Sequence, residues 1–117
     1  MSSTEPNSPS ERRRHRRTKG AVEIEIQLEN QTTPLRAKTA DLSLGGCYIE
    51  MMFTLEVGTK VKLTIWGSDT QLTADAVVAT RDLQVGNGIK FTGMTAGDAV
   101  KLQQIIATLA EASPPTE

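Results

Sequence analysis

The sequence predicts a mainly β domain: six short antiparallel strands, arranged as a barrel or a sandwich, followed by one C-terminal helix. Three observations predict it. Apolar and polar residues alternate in one short segment after another, which is the period of a half-buried strand. The links between these segments have hairpin length and are rich in Gly, Asn, Asp and Ser, unlike the long crossovers of a parallel sheet. Only near the end does the period change from two to that of a helix. A chain of 117 residues has room for one compact domain. Its aromatics are limited to Trp66, Tyr48, Phe53 and Phe91, so Val, Ile, Leu and Ala must build the core.

Taken in order, residues 1–10 (MSSTEPNSPS) have almost nothing to bury and are expected to be a disordered tail. AVEIEIQL (21–28) sets Val22, Ile24, Ile26 and Leu28 on one face and Glu23, Glu25 and Gln27 on the other. In LRAKTADL (35–42), Leu35, Ala37 and Thr39 oppose Arg36 and Lys38. CYIEMM (47–52) alternates again, and Cys47, in phase with Ile49, reads as a small buried hydrophobe. KVKLTIW (60–66) turns Val61, Leu63 and Ile65 inward, with Lys60 and Lys62 outward; Trp66 ends it as a rim or packing residue. GSDT leads into QLTADAVVATR (71–81), long enough to bend, with Arg81 as a solvated strand end. VGNG (85–88) reads as a turn before a last strand, IKF (89–91). From Thr95, Leu102, Ile105, Ile106 and Leu109 recur at helical spacing. Thr95 and Asp98 fit an N-terminal cap, and SPP stops the helix. SPPTE (113–117) is a second disordered tail, and no internal repeat is present.

Composition narrows the function. Net charge is only −1, but residues 1–20 hold six basic side chains against Glu5 and Glu11, while the other 97 hold seven against twelve acidic. Counterion release rewards cations spread along a whole face, so this distribution argues against a general DNA- or RNA-binding domain. Cys47 is the only cysteine and His15 the only histidine, which leaves no internal disulfide and no Cys/His metal set. No apolar run is long enough to span a membrane, and the N-terminus lacks the apolar stretch of a signal peptide; a cytoplasmic protein is expected. No acid–base pair or nucleophile with a partner stands out, so the chain is read as a non-enzyme without cofactor or metal. His15 reads as a solvated loop residue.

Two stretches remain. ERRRHRR (11–17) crowds five arginines and a histidine into seven residues. DLSLGG (41–46) combines Asp and Ser, which bond nearby backbone N–H groups, with two glycines; alone, it is a tight turn held by its own side chains. Together, in this order, they resemble the signature of the PilZ domain, a bacterial receptor for the second messenger cyclic di-GMP. Arg13 and Arg17 match RxxxR; Asp41, Ser43 and Gly46 match D/NxSxxG, and one strand and most of a second lie between. Arg12 and Arg16 also form RxxxR, but the family's second arginine commonly sits immediately before the residue leading into the first strand, which favours Arg13 and Arg17. NGIKF resembles the family's last strand, and the resemblance extends over about residues 11–110.

The resemblance implies a six-stranded antiparallel split β-barrel with a C-terminal α-helix, occupying residues 11–112. It implies cyclic di-GMP as ligand, held by Arg13, Arg17, Asp41, Ser43 and Gly46, with Arg12 and Arg14 placed for a second, stacked ligand molecule. Arginine suits the task, because its planar fork bonds phosphate or the O6/N7 edge of guanine and its face stacks on a base. Asp41 would accept from guanine's N1–H and N2 amino donors, Ser43 offers a hydroxyl, and Gly46 leaves space for a flat ligand. Some relatives carry a larger residue beside the ligand near Ala79. The expected mechanism is a clamp that orders on binding and signals to an unidentified downstream protein. The alternative is a degenerate PilZ-type interaction module that binds no nucleotide.

Overall fold

The computed structural model describes residues 18–112, and the expected tails at 1–10 and 113–117 lie outside them. Seven strands appear: β1 (Thr18–Lys19), β2 (Glu23–Leu28), β3 (Leu35–Leu42), β4 (Gly46–Glu50), β5 (Lys60–Trp66), β6 (Gln71–Asp82) and β7 (Gly86–Gly93), followed by α1 (Ala96–Ala112). All pairings are antiparallel in the order β1-β3-β2-β5-β6-β7-β4, and a further β3–β4 pairing closes strands β2 to β7 into a six-stranded barrel. The barrel expectation is met, with β1 as an addition.

Alternation explains the closure. Val22, Ile24, Ile26, Val61, Leu63, Ile65, Leu72, Ala76 and Val78 all point into one buried core. Closure leaves no unpaired edge among β2 to β7, so these short strands need no covering layer. Strand directions then define two mouths. At one lie the turns after β3 and β5 and the entry to β2; at the other lie residues 29–34, 51–59 and 83–85.

Each mouth has its own plug. Helix α1 serves the first: Leu102 and Ile105 are buried in the core, and Leu109 packs against Gly20. Thr95 caps the helix by accepting from the Asp98 N–H at 3.0 Å, as its spacing predicts. Residues 51–59 cross the second mouth, held by the fully buried Asn87. Its amide accepts from the Leu55 N–H (2.8 Å) and donates to the carbonyls of Leu55 (2.9 Å) and Thr80 (3.1 Å).

The VGNG reading is corrected. Residues 86–88 belong to β7, and the turn is 83–85, with Gln84 in the left-handed region at φ 64°. Those glycines serve close packing instead: a Cβ on Gly86 would come 2.4 Å from the Ile49 carbonyl oxygen. The third predicted strand also shifts, starting at Gly46 and ending at Glu50, so Met51 and Met52 leave the sheet.

Candidate functional site

The 41–46 segment is built by its own chemistry. Leu42 is buried and anchors the end of β3. The Ser43 N–H donates to the Gly46 carbonyl at 2.8 Å, closing the turn. The Ser43 hydroxyl donates to the same carbonyl (3.2 Å) and accepts from the N–H groups of Gly45 (3.1 Å) and Gly46 (3.2 Å). One donor and two lone pairs are thereby engaged. With 4% exposure, Ser43 shapes the loop from beneath.

Gly46 is required by the barrel. A Cβ there would meet the Ile89 carbonyl oxygen at 2.0 Å, because β7 crosses directly against it. The Phe91 N–H donates to the Gly45 carbonyl at 2.9 Å and fastens the turn to β7. Leu44 is left exposed at the tip.

Asp41 owes its direction to an irregularity. Simple alternation from Leu35, Ala37 and Thr39 would send Asp41 into the core. A bulge at Ala40 shifts the register, so Thr39 opposes Ile49 while Asp41 opposes Tyr48 and Leu42 opposes Cys47. Leu42 and Cys47 turn inward in consequence, and Asp41 joins the outer phase of Tyr48.

On that outer face the Tyr48 hydroxyl donates to Asp82 Oδ2 at 2.8 Å, and the ring lies across Gly86. The hydrogen bond to Asp82 is the main reason that the Tyr48 pKa is raised above the ordinary phenol value; some desolvation and the charges of Asp82, Glu50 and Asp41 add to it. Neither Tyr48 nor Asp82 was singled out in the sequence. The signal was present in CYIE, where Tyr48 alternates outward between Cys47 and Ile49.

The chain enters this face through β1. Thr18 pairs with Leu42 and Lys19 with Asp41. Thr39 fixes the corner that follows: its hydroxyl donates to the Gly20 carbonyl (2.9 Å) and accepts from the Val22 N–H (3.1 Å). The Gly20 N–H donates to the Ala40 carbonyl at 3.1 Å. Among the expected site residues, Asp41, Ser43 and Gly46 thus lie on one hairpin beside β1. Arg12, Arg13, Arg14 and Arg17, with His15, lie outside the described residues.

Three other residues fall elsewhere. Arg81 is exposed and turned to the second mouth, its guanidinium bonding the Thr54 hydroxyl (2.9 Å) and carbonyl (3.3 Å). Trp66 stands two strands from β3, where its indole N–H donates to Gln71 (3.0 Å) and the Arg36 guanidinium lies 4.8 Å from the ring centre. Ala79 is exposed at a break in the β6–β7 register. Among the described residues no cluster has a metal-ligand set, and no helix is long and apolar enough to cross a membrane.

Matched against families of known proteins, the sequence fits the PilZ domain over residues 11–108. The chain belongs to the PilZ domain family. Solved PilZ structures share its fold. The PilZ domain of Escherichia coli YcgR with c-di-GMP superposes with a TM-score of 0.72 at 20% identity, over 86% of this chain and 92% of that one. The Bacillus subtilis inhibitor of motility MotI/DgrA gives 0.69 at 21% identity over 87% of this chain. The PilZ domain of CeSA from a cellulose-synthesizing bacterium gives 0.66 at 18% identity, over 81% of this chain and 98% of that one. The chain spans 53% of MotI, about half its length. No curated protein matches it at the level of sequence.

Proposed function

We propose that this PilZ domain, taken as residues 11–112, is a cyclic di-GMP receptor that holds the dinucleotide between its arginine segment and the 41–46 loop. The observation that carries the reading is the pairing of β1 with the end of β3. Arg17 directly precedes Thr18, so one peptide link, about 3.8 Å between Cα atoms, separates it from a residue paired with Leu42. Arg13 lies five residues from Thr18, within about 18 Å of extended chain.

Charge supports the same division of labour. The described face carries Asp41, Glu50 and Asp82 against Lys19, Lys38 and Lys90, no net positive charge, and could not by itself neutralise two phosphates. The arginine run adds that charge with planar donors. Arg13 and Arg17 are assigned to phosphate and guanine, Arg12 and Arg14 to a second ligand molecule, and Asp41 to guanine's N1–H and N2 donors. Ser43 and Gly46 act by holding the loop in shape, a narrower role than direct contact. Cyclic di-GMP bound to E. coli YcgR, a neighbour of the same fold, supports the choice of ligand. Binding ties the arginine segment to the barrel, and the altered surface is what a downstream protein reads.

Isothermal titration with cyclic di-GMP tests the reading on the wild-type chain and on Arg13→Ala, Arg17→Ala and Asp41→Ala. Each substitution is expected to weaken binding about tenfold or more, the value of one good bidentate or guanine-edge contact. Heat that survives all three changes, or that ATP and RNA reproduce equally, overturns it. Silence in the wild-type chain favours the interaction module that binds no nucleotide.

A further inference from the structure

The face given to the ligand carries an aromatic ring to which the receptor reading assigns no role. Of the chain's four aromatic side chains, Tyr48 is the one paired with Asp41, directly opposite it in the β3–β4 register. Residues so opposed on one face of an antiparallel pair have Cβ atoms about 5 Å apart. Phe53 belongs to the second mouth, Trp66 ends β5, and Phe91 packs against the core.

The ring is fixed across the sheet. Tyr48 belongs to β4, whereas the Asp82 carboxylate that accepts its hydroxyl belongs to β6, and β7 runs between them. The side chain therefore bridges β7 instead of standing up from β4. Gly86 makes the room. A Cβ there would come 2.8 Å from the ring Cε2 and 3.0 Å from Cζ, so the ring takes the place of a β7 side chain. Tyr48 is half-buried and its bond to Asp82 is exposed, which leaves the side of the ring away from Gly86 open to solvent.

We propose that one guanine of cyclic di-GMP stacks on the Tyr48 ring while Asp41 holds its N1–H and N2 edge, with Asp82 as the residue that positions the ring. This inference rests on the receptor reading and adds a ligand-contacting side chain to it. Three observations choose the base over the rest of the ligand. The hydroxyl proton is already given to Asp82, so Tyr48 has no donor for a phosphate. A phosphate at the hydroxyl end would also meet the Asp82 carboxylate. Lys19 and Lys38 stand on β1 and β3, opposite Asp41 and Glu50, and Lys90 is four residues along β7 from Gly86, about 13 Å. The spacing fits as well: with strands about 4.8 Å apart, a purine anchored at Asp41 on β3 reaches across β4 to the ring over β7.

Titration calorimetry of the full chain with cyclic di-GMP compares the wild type with Tyr48→Ala, Tyr48→Leu, Tyr48→Phe, Asp82→Ala and Asp82→Asn. Loss of the ring in the Ala and Leu variants is expected to weaken binding about tenfold or more. Leucine keeps apolar cover over Gly86, so the pair separates lost stacking from lost packing. Tyr48→Phe retains the stacking face and is expected to bind within about threefold of wild type. Asp82→Ala should fall between these limits, and Asp82→Asn, which restores an acceptor for the hydroxyl, should recover most of the loss. In the wild-type complex the Tyr48 ring protons should shift upfield in NMR spectra and show NOEs to guanine H8, which a tyrosine that only packs does not produce.

Unchanged affinity in Tyr48→Ala and Tyr48→Leu, or ring protons unmoved by saturating ligand, overturns this proposal and leaves the receptor reading standing. A loss in Tyr48→Phe as large as in Tyr48→Ala overturns it too, because the hydroxyl would then be the contact. No heat from the wild-type chain defeats both readings.

Discussion

Gly46→Ala adds one methyl group at the most crowded point of the barrel. The new Cβ would stand 2.0 Å from the Ile89 carbonyl oxygen, 3.1 Å from the Ile89 carbonyl carbon and 3.2 Å from the Lys90 Cα, all backbone atoms of β7. Reaching even the 3.0 Å floor for real Cβ contacts requires β4 and β7 to part by about 1 Å. No side chain can rotate away to absorb that. The movement strains the Gly46–Lys90 pairing and the Ser43 bonds to Gly46 together. We expect a loss of about 3 kcal/mol, the upper part of the overpacking range, and a fall in Tm on the order of 10 °C for a domain of this size. Gly97→Ala is the matched control. Its Cβ meets nothing closer than 3.9 Å, and the change within α1 should stabilise by about 0.5 kcal/mol through helix propensity. Thermal and urea unfolding, followed by far-UV circular dichroism and Trp66 fluorescence, give both values. A Gly46→Ala protein within about 1 kcal/mol of wild type would refute the packing argument. If it also lost ligand, Gly46 would be a ligand contact after all.

Tyr48 is the only tyrosine, so its ionisation can be followed directly by ultraviolet absorption. It should titrate above the ordinary phenol pKa of about 10, and Asp82→Asn should bring it back toward that value. Because the folded-state value is the raised one, the stability contributed by the Tyr48–Asp82 pair is fully present below the unfolded pKa. It is lost as pH climbs through the folded pKa, so alkaline unfolding should be less steep in Asp82→Asn. Asn87→Ala removes three part-buried hydrogen bonds and strands the Leu55 N–H. A loss of about 3 kcal/mol is expected, with amide exchange accelerated in the 51–59 segment before the rest of the barrel. Uniform acceleration across all strands would show that Asn87 does not act through that segment.

The strands easiest to read were those whose alternation answers to one core. Leu35–Leu42, Lys60–Trp66 and Gln71–Asp82 run almost as their patterns indicate, and the helix starts at its Thr95 cap. The failures have a common cause in close backbone approach. VGNG carries the composition of a hairpin turn, yet Gly86 and Gly88 are glycines because Ile49, Tyr48 and Thr80 press against them. The true turn places Gln84 in the left-handed region, and glutamine announces no turn. The 41–46 loop was legible as a motif, whereas the Ala40 bulge that aims Asp41 outward has no signature in LRAKTADL. Strand β1 escaped for a different reason: two polar residues have no period, and only their partner on β3 defines them as a strand.

The packing of Leu109 on Gly20 means that the incoming strand and the outgoing helix share one rim of the barrel. A substitution that frees Leu109 should therefore loosen the corner at Gly20 as well, because the two lean on each other. Phe53 and Leu83 lie at the opposite rim, away from that contact.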